Sequence, residues 1–166
     1  MIGNTAVSNW QLERKNWTAY YESQLNRQLA QAVVFIRTTQ QPQQLRAHFD
    51  SFMVLLLRAR TRPDLHGAYL ELLTALHPWP LRWGLWDAWE MELEQALPVL
   101  TSFNQAIKQA ELMTYLAEIQ FRTGRLETAV LTSRSALNLA WENQAIVTWA
   151  AAASRAILTL NRLGRN

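Results

Sequence analysis

Three of the five glycines, Gly84, Gly124 and Gly164, are spaced forty residues apart, and each follows an apolar periodic segment. Glycine just past an apolar helical stripe is a common helix stop, because it enters left-handed backbone without a steric penalty. Repetition of that stop at a fixed interval predicts equivalent units, which decide the fold before any single side chain is interpreted. Shifting the sequence against itself by forty residues also aligns apolar columns. Phe49, Trp89 and Ala129 form one; Met53, Leu93 and Ser133 a second; Leu56, Ala96 and Ala136 a third; Leu57, Leu97 and Leu137 a fourth. These columns lie at offsets of 0, 4, 7 and 8, which trace one helical face. On the segments preceding the glycines, Val33, Leu73, Met113 and Ala153 align, as do Ile36, Leu76, Leu116 and Ala156 three positions later. Each unit is therefore expected to be a helical hairpin.

The expected fold is all-α, a single domain over 1–166 made of antiparallel hairpins with about seven to eight helices. The first helix of each pair is placed over 24–38, 63–77, 104–122 and 144–163, the second over 43–60, 81–98 and 125–141, and an extra helix over 9–22. Hairpins then occupy 24–62, 63–103 and 104–143, with an N-terminal extension over 1–23 and an unpaired last helix in 144–166. Pro42, Pro63 and Pro80 fall at expected helix starts, where the missing N–H costs nothing, and Pro98 is expected to end or kink its helix. With so few turn residues and no Asn-Gly or Asp-Gly pair, a sheet protein is disfavoured.

Residues 110–143 read AELMTYLAEIQFRTGRLETAVLTSRSALNLAWEN. This segment resembles a tetratricopeptide repeat, whose small and apolar positions fall here on Leu116, Ala117, Phe121, Gly124, Leu126, Ala129, Ala136 and Leu137. It departs from the pattern at Gln120 and Glu142. The longer forty-residue hairpins are also similar, more loosely, to helical sensor regions of large bacterial signalling ATPases and transcription activators. The tetratricopeptide resemblance implies a right-handed superhelix, an α-solenoid, whose first helices line a concave groove that takes an extended peptide. Its groove positions would be Glu111, Thr114, Glu118, Phe121 and Arg122. The lysine and asparagine that hold a terminal carboxylate in chaperone-binding members would fall at Thr114 and Glu118, which lack that chemistry.

Composition narrows the function classes. At 166 residues with 49% apolar and 17% charged, the chain can bury a core. No run of eighteen apolar residues exists and no cysteine is present, so the expected protein is soluble, cytoplasmic and without a membrane partner. His48, His66 and His77 show no metal-ligand spacing, the glycines are isolated, and Asp87, Glu90 and Glu94 are expected to form a solvated stripe. No catalytic residue, metal or cofactor is expected, and the protein is read as no enzyme.

Four tryptophans lie within HPWPLRWGLWDAWE, residues 77–90. On a helix, Leu85, Trp86, Trp89 and Leu93 share a face with Ala96, Leu97 and Leu100, so Trp86 and Trp89 are expected in the core. Trp83 falls on the acidic stripe instead and is a candidate partner-binding residue for a cationic side chain. Thr148, Arg155, Thr159 and Arg162 form a polar stripe on the last helix and complete the candidate site. The expected partner is a protein or peptide. The alternatives are a sensor or structural fragment of a larger signalling or transcription-regulatory protein, and a helical-repeat nucleic-acid binder; sixteen Lys and Arg scattered along a chain of net charge +3 disfavour the latter. Ala145, Ile146, Trp149, Ala153 and Ile157 make the last helix apolar enough to expect a homodimer through it.

Overall fold

Between residues 77 and 164 the chain turns at a left-handed residue every twenty positions: Gly84, Asn104, Gly124 and Gln144, with φ of 71°, 53°, 81° and 56°. The structure is a computed structural model that describes residues 5–102 and 104–164, with side chains from Arg14 onward. At each turn the next N–H reaches back five residues: Leu85 to Pro80, Gln105 to Leu100, Arg125 to Gln120 and Ala145 to Ala140, at 2.9–3.1 Å. This is the Schellman closure, which satisfies a carbonyl that the helix end would otherwise leave unpaired. The forty-residue period of the glycines is thus twice a twenty-residue structural period. Asn tolerates left-handed backbone; Gln144 has no such excuse in its side chain.

The described residues are all-helical, without strands. Two compact units divide at residues 76 and 77. In the first, α1 (Thr5–Thr38), α3 (Phe49–Arg60) and α4 (His66–Leu76) pack together, linked by α2 (Pro42–Ala47) and a 3-10 turn at Pro63–Leu65. Its core holds Leu25, Leu29, Leu45, Leu56, Tyr69 and Leu73. Arg62 bonds Glu22 at 2.7 Å, and Arg37 bonds Glu71 at 3.0 Å. In the second unit α5 (Pro78–Trp83) leads into α6 (Trp86–Ser102), α7 (Ala106–Arg122), α8 (Leu126–Glu142) and α9 (Ile146–Leu163). Each of α6 to α8 packs on its successor, and α7 also packs on α9.

The register columns are visible in the burial. Phe49, Trp89 and Ala129 are all buried, as are Leu56, Ala96 and Ala136. Small residues allow the close packing of α7 on α8: Ala117, Ala129 and Ala136 are 0% exposed. Several element boundaries differ from expectation. The separate helices expected over 9–22 and 24–38 are one continuous α1, because no glycine or proline interrupts the chain there. The helix expected over 43–60 breaks at His48 (φ −98°, ψ 0°), whose ring sits edge-on to Phe35 with centroids 5.3 Å apart. The helix expected from 81 starts at Trp86, since Pro78 and Pro80 build a short helix that Gly84 closes. Pro98 does not end α6, which runs on to Ser102.

Two expectations about α6 change with its position. Trp89 is fully buried, but Trp86 is only half-buried, its indole N–H donating to the Leu81 carbonyl at 3.1 Å. The acidic stripe is not wholly solvated either: Glu90 is 8% exposed and accepts from Arg125, tying α6 to the α7–α8 turn. That contact raises the pKa of Arg125 above its ordinary value, chiefly through the hydrogen bond to Glu90.

Stability tests follow from the turns and the core. Gly84→Ala and Gly124→Ala should each cost about 1 kcal/mol, the left-handed penalty, although no neighbour obstructs a Cβ at either. Gln144→Gly should be stabilising in urea denaturation for the same reason, while Gly164→Ala, at φ −73°, should be neutral or better. Equal responses at Gly124 and Gly164 would break the turn assignment. Trp89→Ala should cost about 3–5 kcal/mol and Trp86→Ala clearly less.

Candidate functional site

Glu118 is the junction of the second unit's polar face. One helical turn after Thr114 and one before Arg122, it accepts from Arg122 Nη2 at 2.8 Å and Nε at 3.1 Å through Oε1. Its other oxygen accepts from Arg155 Nη2 of α9 at 2.9 Å. The carboxylate therefore holds two guanidinium groups from two helices in fixed places, which long arginine side chains would not keep unaided. Phe121 lies beside it on α7, half-buried, with the Arg155 and Arg162 guanidinium carbons 5.8 and 5.1 Å from its ring centroid. Arg162 also donates to the Phe121 carbonyl at 3.4 Å. A flat aromatic surface framed by cations results.

The face continues into a cleft of about 310 Å³ lined by His77, Pro78, Leu81, Arg82, Glu118 and Arg122. Arg82 stands over the Trp79 ring at 5.0 Å. Neither Arg82 nor Arg162 is paired with a carboxylate among the described residues. Four guanidinium groups thus share this face, two of them paired with Glu118 and two standing on aromatic rings, and the local charge is positive.

His77 forms the inner wall. Its ring stacks on Tyr115 with centroids 3.6 Å apart and planes 12° apart, and its Nδ1 accepts the Trp89 indole N–H at 2.9 Å. An accepting Nδ1 places the proton on Nε2, so the neutral tautomer is fixed by the core. Burial lowers the pKa of His77 to about 4; Glu118 and Glu111 pull it upward, Arg155 and Arg122 push it further down. Tyr115 is shifted upward, first by burial and then by the bond its hydroxyl donates to Glu111 Oε1 at 2.7 Å.

Of the residues expected at the site, Glu118, Phe121, Arg122, Arg155 and Arg162 are brought together. Glu111 is held beside them by Lys108 and Tyr115. Thr114 and Thr159 turn inward: both are buried, and their hydroxyls donate to the carbonyls of Ala110 and Arg155 on their own helices. Thr148 is half-buried. Trp83 is half-buried against Trp79, ring centroids 5.8 Å apart. His77 and Arg82 were missing from the sequence-based set. Nothing in their spacing signals a cleft, which forms only because α5 and α7, far apart in sequence, meet at Glu118.

No group of His, Asp or Glu among the described residues could hold a metal ion. None of the described helices is long and apolar enough to cross a membrane. Comparison with protein-family models, with curated proteins and with solved structures finds no match to this chain.

His77 makes the fold acid-sensitive. The folded pKa of about 4 lies below the unfolded value of 6.5, so the unfolded state takes up the proton first as the pH falls. The stabilisation from keeping His77 neutral is complete above pH 6.5 and is lost progressively toward pH 4, by about 2–3 kcal/mol. Denaturation measured from pH 7 to 4.5 should show that loss, and a His77→Phe variant, which keeps the stack on Tyr115, should show a shallower slope. An NMR titration of His77 with a midpoint between pH 6 and 7 would contradict the burial.

Proposed function

We propose that this chain is a non-enzymatic protein-interaction module, a TPR-like stack of helical hairpins whose α7–α9 face takes an extended, acidic segment of a partner. The observation that carries the reading is the convergence of Arg122, Arg155 and Arg162 on Glu118 and the Phe121 ring. Charge complementarity selects the partner. Arg82 and Arg162 have free fork donors for carboxylates, the prearranged Arg122 and Arg155 add positive potential, and the Phe121 ring offers an apolar contact between them. A basic segment would meet like charge, and an apolar one would leave the arginines desolvated and unpaired.

The reading is tested with a fluorescein-labelled peptide of glutamates around a central phenylalanine, against its lysine counterpart. Fluorescence anisotropy should report binding of the acidic peptide alone, weakening as salt is raised. Arg82→Glu with Arg162→Glu should weaken it at least about tenfold while circular dichroism is unchanged, because neither side chain carries an ion pair of the fold. Arg155 is unsuitable for reversal, since a glutamate there would face Glu118. Equal binding of both peptides, or an unaffected double variant, would refute the proposal. Tighter binding of single-stranded DNA than of the acidic peptide would move the face to nucleic acid.

A further inference from the structure

The opposite side of α9 carries a second surface. Ile146, Ala150, Ala153, Ile157 and Leu160 recur at intervals of four and three and so share one stripe of the helix. Twenty residues earlier the same register positions are Leu126, Val130, Ser133, Leu137 and Ala140, all buried or half-buried; forty residues earlier Ala106, Ala110, Met113, Ala117 and Gln120 are too. In α9 the stripe is open, with Ile146, Ile157 and Leu160 exposed by 78, 58 and 50%. Beside its first turn a groove of about 760 Å³ is lined by Trp141, Glu142, Ile146 and Trp149, with Trp141 71% exposed.

We propose that a second copy of the chain docks here, α9 against α9, antiparallel about a two-fold axis at Ala153. Three features select this occupant. First, the stripe is complementary to its own reversal: Ile146 meets Leu160 of the partner subunit, Ala150 meets Ile157 of the partner subunit, and the two Ala153 residues meet on the axis. Alanines therefore meet at the centre, where the helices approach closely, and the larger Ile146 and Leu160 close the two ends. Second, the stripe itself contains no charge, so the two-fold brings no like charges against each other in the contact. Third, the open surface is extensive. Trp141, Ile146, Ile157 and Leu160 are each at least half exposed, an apolar surface of several hundred Å², set against the roughly 800 Å² per partner of a standard interface. Face and groove together extend the helix stacking seen from α6 to α9 across the axis.

The test uses sedimentation equilibrium of the full chain at micromolar concentration together with cross-linking. The wild-type chain should be a reversible dimer. Ile157→Glu, at a position exposed in the single chain, should weaken self-association at least about a hundredfold with circular dichroism unchanged, because it would place carboxylates in the interface without partners. The chain has no cysteine, so Ala153→Cys introduces a single thiol, which under mild oxidation should form a disulfide-linked dimer. A cysteine at Leu131, 62% exposed on α8 and off the stripe, should not. A wild-type chain that stays monomeric, a dimer indifferent to Ile157→Glu, association beyond the dimer, or equal cross-linking at 131 and 153 would each overturn the proposal.

Discussion

The second unit depends on one constraint, a left-handed residue at every twentieth position. A helix of seventeen residues and a three-residue turn fill that interval in α6, α7 and α8. Because each Schellman closure fixes both the exit direction of one helix and the entry of the next, successive helices reverse with the same register. Equal register puts equivalent positions at equivalent heights, so a column such as Trp89 and Ala129 is buried in each unit that carries it. One residue more or fewer between turns would rotate every following face by about 100° and point buried columns at water. Glycine serves two turns without strain and Asn104 tolerates the third, while Gln144 is held against its preference, which the packing of α8 on α9 sustains.

A central helix packed on both sides retains little accessible arc, and toward the end of α7 that arc is largely polar. Glu118 and Arg122 occupy it one turn apart, and Arg155 reaches them from α9. The ion pairs are worth little as stability: for the largely buried Glu118–Arg155 pair desolvation offsets the attraction, and at the more exposed Arg122 water screens it. Their consequence is positional: guanidinium groups that would otherwise sample many rotamers stand fixed around Phe121. His77 contributes by staying neutral. Were it charged, a fifth cation would stand beside Arg82 and Arg122 with its proton on the atom that now accepts from Trp89, and the core hydrogen bond would be lost.

The helices of the second unit were legible in the sequence because their register repeats, and burial follows the aligned columns closely. The first unit was less so. Its α1 contains no break to read, and the break at His48 has no glycine or proline to announce it. The twenty-residue period was hidden because only alternate turns use glycine. At the site, Glu118 and Arg122 were reached as groove positions implied by the tetratricopeptide resemblance, and Arg155 and Arg162 as a stripe on the last helix. Thr114 and Thr159 looked equivalent to them on a helical wheel, yet a hydroxyl that can bond its own helix needs no solvent and can be buried, whereas a guanidinium cannot be without a partner. His77 and Arg82 were beyond reach of any spacing rule, because their neighbours are supplied by tertiary packing.

The two proposed surfaces occupy opposite arcs of α9. At 100° per residue, Arg155 and Arg162 lie about 160–180° from the centre of the stripe defined by Ile146, Ala153 and Leu160. The arginines face α7; the stripe faces away. Occupation of one surface therefore leaves the other free, and pairing through the stripe places the two basic faces on opposite outer sides of the dimer. Such an assembly holds two acidic segments at once only if they lie on separate chains or on one chain with a linker long enough to pass around both copies. Multivalent acidic partners would gain avidity through dimerisation alone, with no change in the contacts made at Phe121. Regulation then needs no movement within the helical stack, because the concentration of the chain itself sets the number of linked sites.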